Sequence, residues 1–129
     1  MTDISRRRFI AMSGAAALAL SLPRLGVAKG TSNMYGLISK LEAVPGKRDL
    51  LISILLQGAR SMPGCLSYVV ARDVSDTDGI WITEVWDSSE SHKASLSLPS
   101  VRHAMLQGKP LVTKFSERIE TDPVGGEGL

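Results

Sequence analysis

The segment Ile80-Trp81-Ile82-Thr83-Glu84-Val85-Trp86 constrains the fold more than any other part of the chain. It is built almost wholly of β-branched and aromatic residues, which favour the pleated backbone of a strand. A strand needs a paired neighbour, and the chain supplies one just upstream. In Cys65–Arg72, Leu66, Tyr68 and Val70 alternate with Ser67, Val69 and Ala71, and the polar stretch Asp73–Asp78 closes on Gly79. The two segments are expected to pair as an antiparallel hairpin. Directly after Trp86 the period changes. Asp87-Ser88-Ser89-Glu90 offers a capping side chain with a glutamate three residues later, the signature of a helix start.

The rest of the chain extends this alternation of periods. Met34–Glu42 reads as a first strand, with Leu37, Ser39 and Leu41 on one face and Ile38, Lys40 and Glu42 on the other. Pro45-Gly46-Lys47 opens a helix, with Pro45 near its first turn. Its apolar stripe is Leu50, Leu51, Ile54 and Leu55, and it is ended by Gly58 and then Pro63-Gly64. After the capped start at Asp87, a short helix is expected to run to about Ser97. A further helix begins at Pro99-Ser100, carries Val101, Ala104, Met105 and Leu106, and stops at Gly108-Lys109-Pro110. Leu111–Thr121 alternates as a last strand, and the glycine-rich residues 122–129 read as a flexible tail. The order β-α-β-β-α(α)-β predicts an α+β, ferredoxin-like fold, a four-stranded antiparallel sheet with helices on one face. The other face needs cover, which a second copy related by two-fold symmetry would provide.

Charge separates the chain into unlike parts. The net charge of +2 over 129 residues is the sum of a +3 leader and a −1 remainder. Residues 1–28 hold Arg6, Arg7, Arg8 and Arg24 against Asp3 alone. The body is nearly neutral and has no Lys/Arg block, which argues against nucleic acid as a partner. The leader begins with the adjacent arginines of Ser5-Arg6-Arg7-Arg8-Phe9-Ile10. It continues through a mildly apolar run to Leu22, too short to span a membrane comfortably, and ends at Gly26-Val27-Ala28. This is the plan of a twin-arginine export signal with a cleavage site. The expected organisation is therefore a signal peptide over 1–28, a linker over 29–33, one domain over 34–122 and the tail over 123–129. The mature protein is placed outside the cytoplasm, in the periplasm or an equivalent compartment, by the twin-arginine machinery, with no stable span after cleavage. The single cysteine, Cys65, excludes an internal disulfide or a multi-cysteine zinc site.

Three stretches carry a family resemblance: Gly-Leu-Ile-Ser-Lys-Leu-Glu-Ala-Val-Pro-Gly-Lys at 36–47, Met-Pro-Gly-Cys-Leu-Ser-Tyr at 62–68, and Ile-Thr-Glu-Val-Trp-Asp-Ser-Ser-Glu-Ser at 82–91. Together they resemble the antibiotic biosynthesis monooxygenase family, closest to its quinol-monooxygenase-like branch, over roughly residues 34–122. The resemblance implies a dimeric α+β barrel with a pocket between sheet and helices. It also implies oxidation of a quinol or hydroxyaromatic with O2, without metal, flavin or other bound cofactor. A sister branch binds haem, which leaves a non-catalytic haem- or aromatic-ligand-binding dimer of the cell envelope as the alternative. Two positions that hold histidine in quinol-branch relatives are Ser95 and Ser100 here, and Ser39 falls near an asparagine of the haem branch.

Within this framework the candidate catalytic residues are His103, Glu84 and Tyr68. An imidazole on the last helix can act as base or ligand. Glu84 can act as base if it is not consumed by an arginine or a helix backbone. The Tyr68 phenol can donate a proton. Trp86, His92, Ser39, Met62 and Met105 are candidates for holding the substrate, the methionines as adaptable walls. Trp81 faces opposite to Trp86 and is assigned to the dimer interface. Two histidines eleven residues apart do not make a metal site, and the chain has no phosphate loop or nucleophile elbow.

Overall fold

A computed structural model describes residues 33–129; the proposed signal and most of the linker lie outside the described residues. Strand β1 (Tyr35–Ala43) leads through a turn to helix α1 (Arg48–Gly58). Strands β2 (Cys65–Arg72) and β3 (Gly79–Trp86) follow. Two helices come next, α2 (Ser89–Ser95) and α3 (Pro99–Gly108). A single 3-10 turn over Lys109–Leu111 leads into strand β4 (Val112–Thr121). The strands form one four-stranded sheet in the order β2-β3-β1-β4, antiparallel at every pairing. This is the ferredoxin-like α+β fold. No helix among the described residues is long and apolar enough to cross a membrane.

Alternation along the two central strands decides which side is core. Leu37, Leu41 and Ala43 of β1 and Ile80, Ile82 and Trp86 of β3 are buried beneath the helices, together with Leu51 of α1. Close packing of α1 on α3 depends on Gly58. A Cβ there would stand 2.4 Å from that of Ala104, so only glycine lets the helices approach to this distance.

The two Pro-Gly pairs prove to be turns with stated jobs. Lys47 N–H donates to Val44 O at 2.9 Å and Gly46 has φ +81°, the requirements of a type II turn with proline at its second position. Pro45 thus sits in the turn just before α1. Gly64 has φ +83° and fits against Ser91 and Asp87, where a Cβ would meet Ser91 at 2.5 Å. Its carbonyl accepts from Asp87 N–H at 2.9 Å. With Asp87 held in this way, the cap of α2 is Ser88, whose hydroxyl accepts from Ser91 N–H at 3.1 Å, and not Asp87.

The opposite sheet face carries a different set. Trp81 is there as expected, fixed by an Nε1–H bond to Asp73 Oδ2 at 2.7 Å and covered by the Lys40 ammonium. Lys40 also pairs with Glu42, Asp73 and Asp76 at 3.3–3.4 Å. Asp73 Oδ1 accepts from the backbone of Ser75 and Asp76 as well. The Trp81 and backbone bonds, with Lys40 beside them, hold the Asp73 carboxyl well below the usual carboxylate range. This cluster closes the β2–β3 hairpin, and Arg48 ties it to α1 by donating to the carbonyls of Asp73 and Asp76.

Candidate active site

Between the helix-facing side of the sheet and helices α1, α2 and α3 lies a cleft of about 670 Å³. Its walls are mostly apolar, with Leu51, Leu55, Met62, Ile82, Trp86, Val101, Ala104, Met105 and Phe115 among the lining residues. Met105, Leu96 and Phe115 line it yet remain about half exposed or more, so the cleft is open to solvent along its rim.

Polar groups converge at one end. Glu84 occupies the third of the four helix-facing positions of β3, with Ile82 and Trp86 on either side. It is paired with Leu37 on one flank and Tyr68 on the other. The Trp86 indole N–H donates to Glu84 Oε1 at 2.8 Å, and His92 Nε2 of α2 stands 3.9 Å from the same oxygen. This replaces the expected arginine or helix-backbone partner with an indole two residues along the same strand. Burial pushes the Glu84 carboxyl up, against the opposing effects of the Trp86 bond and the charges of His92 and Arg118. The Tyr68 phenol is pushed up strongly, first by burial and then by the Glu84 charge. It therefore stays protonated. Its hydroxyl bonds no group among the described residues, which leaves it for a ligand. His92 is held by its neighbours, 5.2 Å from the Tyr35 ring and 5.4 Å, edge-on, from the Trp86 ring.

Of the residues singled out from sequence, Glu84, Tyr68, Trp86, His92, Met62 and Met105 meet around this one cleft. Two do not. Ser39 is buried on the helix-facing side of β1 but is not among the lining residues. His103 is exposed: the face of α3 that lines the cleft is Val101, Ala104, Met105 and Gly108, and at about 100° per residue position 103 points away from it. The catalytic assignment of His103 is thus corrected by its place on the helix. Cys65 is partly buried, with its thiol pushed up by burial. Among the described residues no group of three His, Cys, Asp or Glu side chains could hold a metal ion.

Sequence reading missed Phe115, Thr113 and Lys114, which line the cleft. For Phe115 the reason is a register shift in the β1–β4 ladder between Lys40 and Leu41, where Phe115 opposes Leu41 but Glu117 opposes Lys40. One extra residue in β4 changes which of its side chains face the helices, and simple alternation gives no sign of it.

The sequence profile described as antibiotic biosynthesis monooxygenase matches residues 34–106. Among solved structures, a candidate antibiotic biosynthesis monooxygenase from Chloroflexus aurantiacus J-10-fl is 67% identical, with a TM-score of 0.72, over 73% of this chain and 96% of that one. A protein described in the same way from Caulobacter crescentus CB15 shares 20% identity at a TM-score of 0.66, over 74% and 93% of the two chains, and supports the fold alone. Comparison with curated proteins finds no significant match. With the profile covering more than half of its length and a relative this similar, the chain belongs to the antibiotic biosynthesis monooxygenase family.

Proposed function

We propose that this protein is a monooxygenase that oxidises a quinol or hydroxyaromatic with O2 and needs no bound cofactor. The observation that carries the reading is the meeting of a buried carboxylate, a protonated phenol and an imidazole at one end of an apolar cleft. Such a substrate is a weak acid that becomes electron-rich when its proton is lost. The raised Glu84 carboxyl is a better match to a phenolic proton than an ordinary glutamate, and His92 supplies a neighbouring site where charge can be balanced. The anion passes an electron to O2, and the two radicals combine at a ring carbon. Breakdown of the resulting peroxide puts one oxygen atom into the product and releases the other as water. All four electrons come from the substrate. Tyr68 is placed to donate a hydrogen bond to the developing oxyanion or peroxide, and the apolar walls keep the anion from being quenched by bulk water.

The haem-binding alternative finds less support. His103 points away from the cleft, and His92, which lines it, is already engaged by the Tyr35 and Trp86 rings and by Glu84. We further propose that the working unit is an exported homodimer. On the face away from the helices, Val69, Thr83, Ile38 and Ile119 are successive partners across all four strands, and Val69 and Ile119 are about half exposed. A row of this kind is suited to a sheet-to-sheet contact.

Oxygen uptake with a panel of hydroquinones tests the proposal. Uptake above the uncatalysed rate for at least one member, falling on Glu84→Gln by a hundredfold or so, is the expected result for loss of a general base. Uptake equal to the uncatalysed rate across the panel would sink it.

A further inference from the structure

The cleft opens among apolar side chains that the fold leaves in water. Leu96 at the end of α2, Met105 of α3 and Phe115 of β4 line it and are about half exposed or more. Leu106, next to Met105, is 75% exposed. Single exposed apolar residues are ordinary on a protein surface. Four of them about one opening mark a contact surface.

The charge around this opening has one sign. Between Glu90 and Glu117 the chain holds no carboxylate. Arg102 of α3 and Lys109, which caps it in helical conformation, are exposed. Neither forms an ion pair or a side-chain hydrogen bond among the described residues. At about 100° per residue, Met105, Lys109, Arg102 and Leu106 follow one another around α3 within about 100° of its surface. The stripe starts at the cleft, which Met105 and Lys109 line, and turns outward to Leu106. Two cations and two apolar side chains thus share one edge of the opening. The sheet-to-sheet contact proposed above uses the opposite side of the sheet and leaves this edge uncovered.

The mixture selects the partner. An acidic protein or a nucleic acid would meet the cations and gain nothing from the leucine and methionine. A bilayer with anionic headgroups meets both, because cations rest among the phosphates while apolar side chains enter the acyl boundary. We propose that the rim of the cleft docks on an anionic lipid surface, with Arg102 and Lys109 among the headgroups and Met105, Leu106 and Phe115 in the acyl boundary. The cleft then opens toward the lipid, where a lipophilic hydroxyaromatic is concentrated. This use of the surface, though not the docking, rests on the cleft being the substrate site.

The test is co-sedimentation of the full chain with vesicles of phosphatidylcholine alone or mixed with phosphatidylglycerol. Every sample carries Arg6→Gln, Arg7→Gln and Arg8→Gln, so that the arginine cluster of the leader does not supply the preference. Binding to the mixed vesicles is expected to exceed binding to phosphatidylcholine by about tenfold or more at low salt, and to fall as salt rises. A cation near such a surface contributes about five-fold, so the Arg102→Gln, Lys109→Gln double variant is expected to bind about 25-fold more weakly. Leu106→Gln leaves the charge unchanged and is expected to weaken binding by about tenfold. All three positions are exposed, so these changes leave the core intact. Equal binding to the two kinds of vesicle, or a preference undiminished in the double variant, overturns the proposal. So does full binding by Leu106→Gln, which would make the surface purely electrostatic and suited to an acidic protein or a nucleic acid. Docking is read without turnover. If it fails while hydroquinones are still oxidised, the oxygenase reading stands; if it holds while no hydroquinone is oxidised, the docking stands and that reading fails.

Discussion

Glu84 is held between opposing effects. Burial disfavours its charge, while the Trp86 N–H bond and the charges of His92 and Arg118 favour it, and burial dominates. The folded protein therefore binds this proton more tightly than the unfolded chain does. Its contribution to stability is complete below the ordinary glutamate range and is lost as pH rises through the folded value. Glu84→Gln stays neutral and keeps an oxygen for the indole. It is expected to melt above the wild-type protein at about pH 8 and level with it at about pH 4, and thermal melts at the two pH values check this. Tyr68→Phe removes a hydroxyl that bonds nothing among the described residues. It is expected to change stability by less than about 0.5 kcal/mol while slowing oxidation tenfold or so as a donor to the oxyanion is lost. His103→Ala, by contrast, is expected to leave the rate unchanged.

At the scale of elements, helix packing turns on a single residue. Replacing Gly58 with alanine would favour α1 by about 0.5–1 kcal/mol through backbone entropy. The new methyl, however, would stand 2.4 Å from Ala104, and overpacking of this kind costs about 1–3 kcal/mol. The steric effect wins, so Gly58→Ala is expected to lower the denaturation midpoint, an outcome that urea unfolding measures. Elements of this kind were legible in sequence where pattern and chemistry agree. The β2–β3 hairpin and the apolar stripe of α1 follow from local periodicity and turn residues. The cap of α2 was misjudged by one residue because Asp87 is engaged by Gly64, a contact that no local pattern records. The lining role of Phe115 was hidden by the register shift in β4, and the exposure of His103 by the choice of helix face. Glu84 and Tyr68 were legible because alternation alone places them on the core side of adjacent strands.

For the whole molecule, one face of the sheet is covered by helices and the other presents the row Val69, Thr83, Ile38, Ile119. An aspartate at both Val69 and Ile119 would put like charges into any sheet-to-sheet contact, while the helix-facing core is untouched. Sedimentation is expected to report a dimer for the wild-type protein and a monomer for the double variant. A monomeric wild-type protein would remove the dimer from the account. The proposed export rests on residues 1–28, and it is checked by the mass of the protein recovered from the native envelope fraction, which should lack them if they are a cleaved signal.

The central claim, that the Glu84 end of the cleft brings about oxygen transfer using the substrate's own electrons, is tested most directly by turnover under 18O2 in the presence of a metal chelator. One labelled atom in the product and the other in water, with both signals lost in Glu84→Gln, is the expected result. A product without label, or labelling that is undiminished in Glu84→Gln, would contradict it.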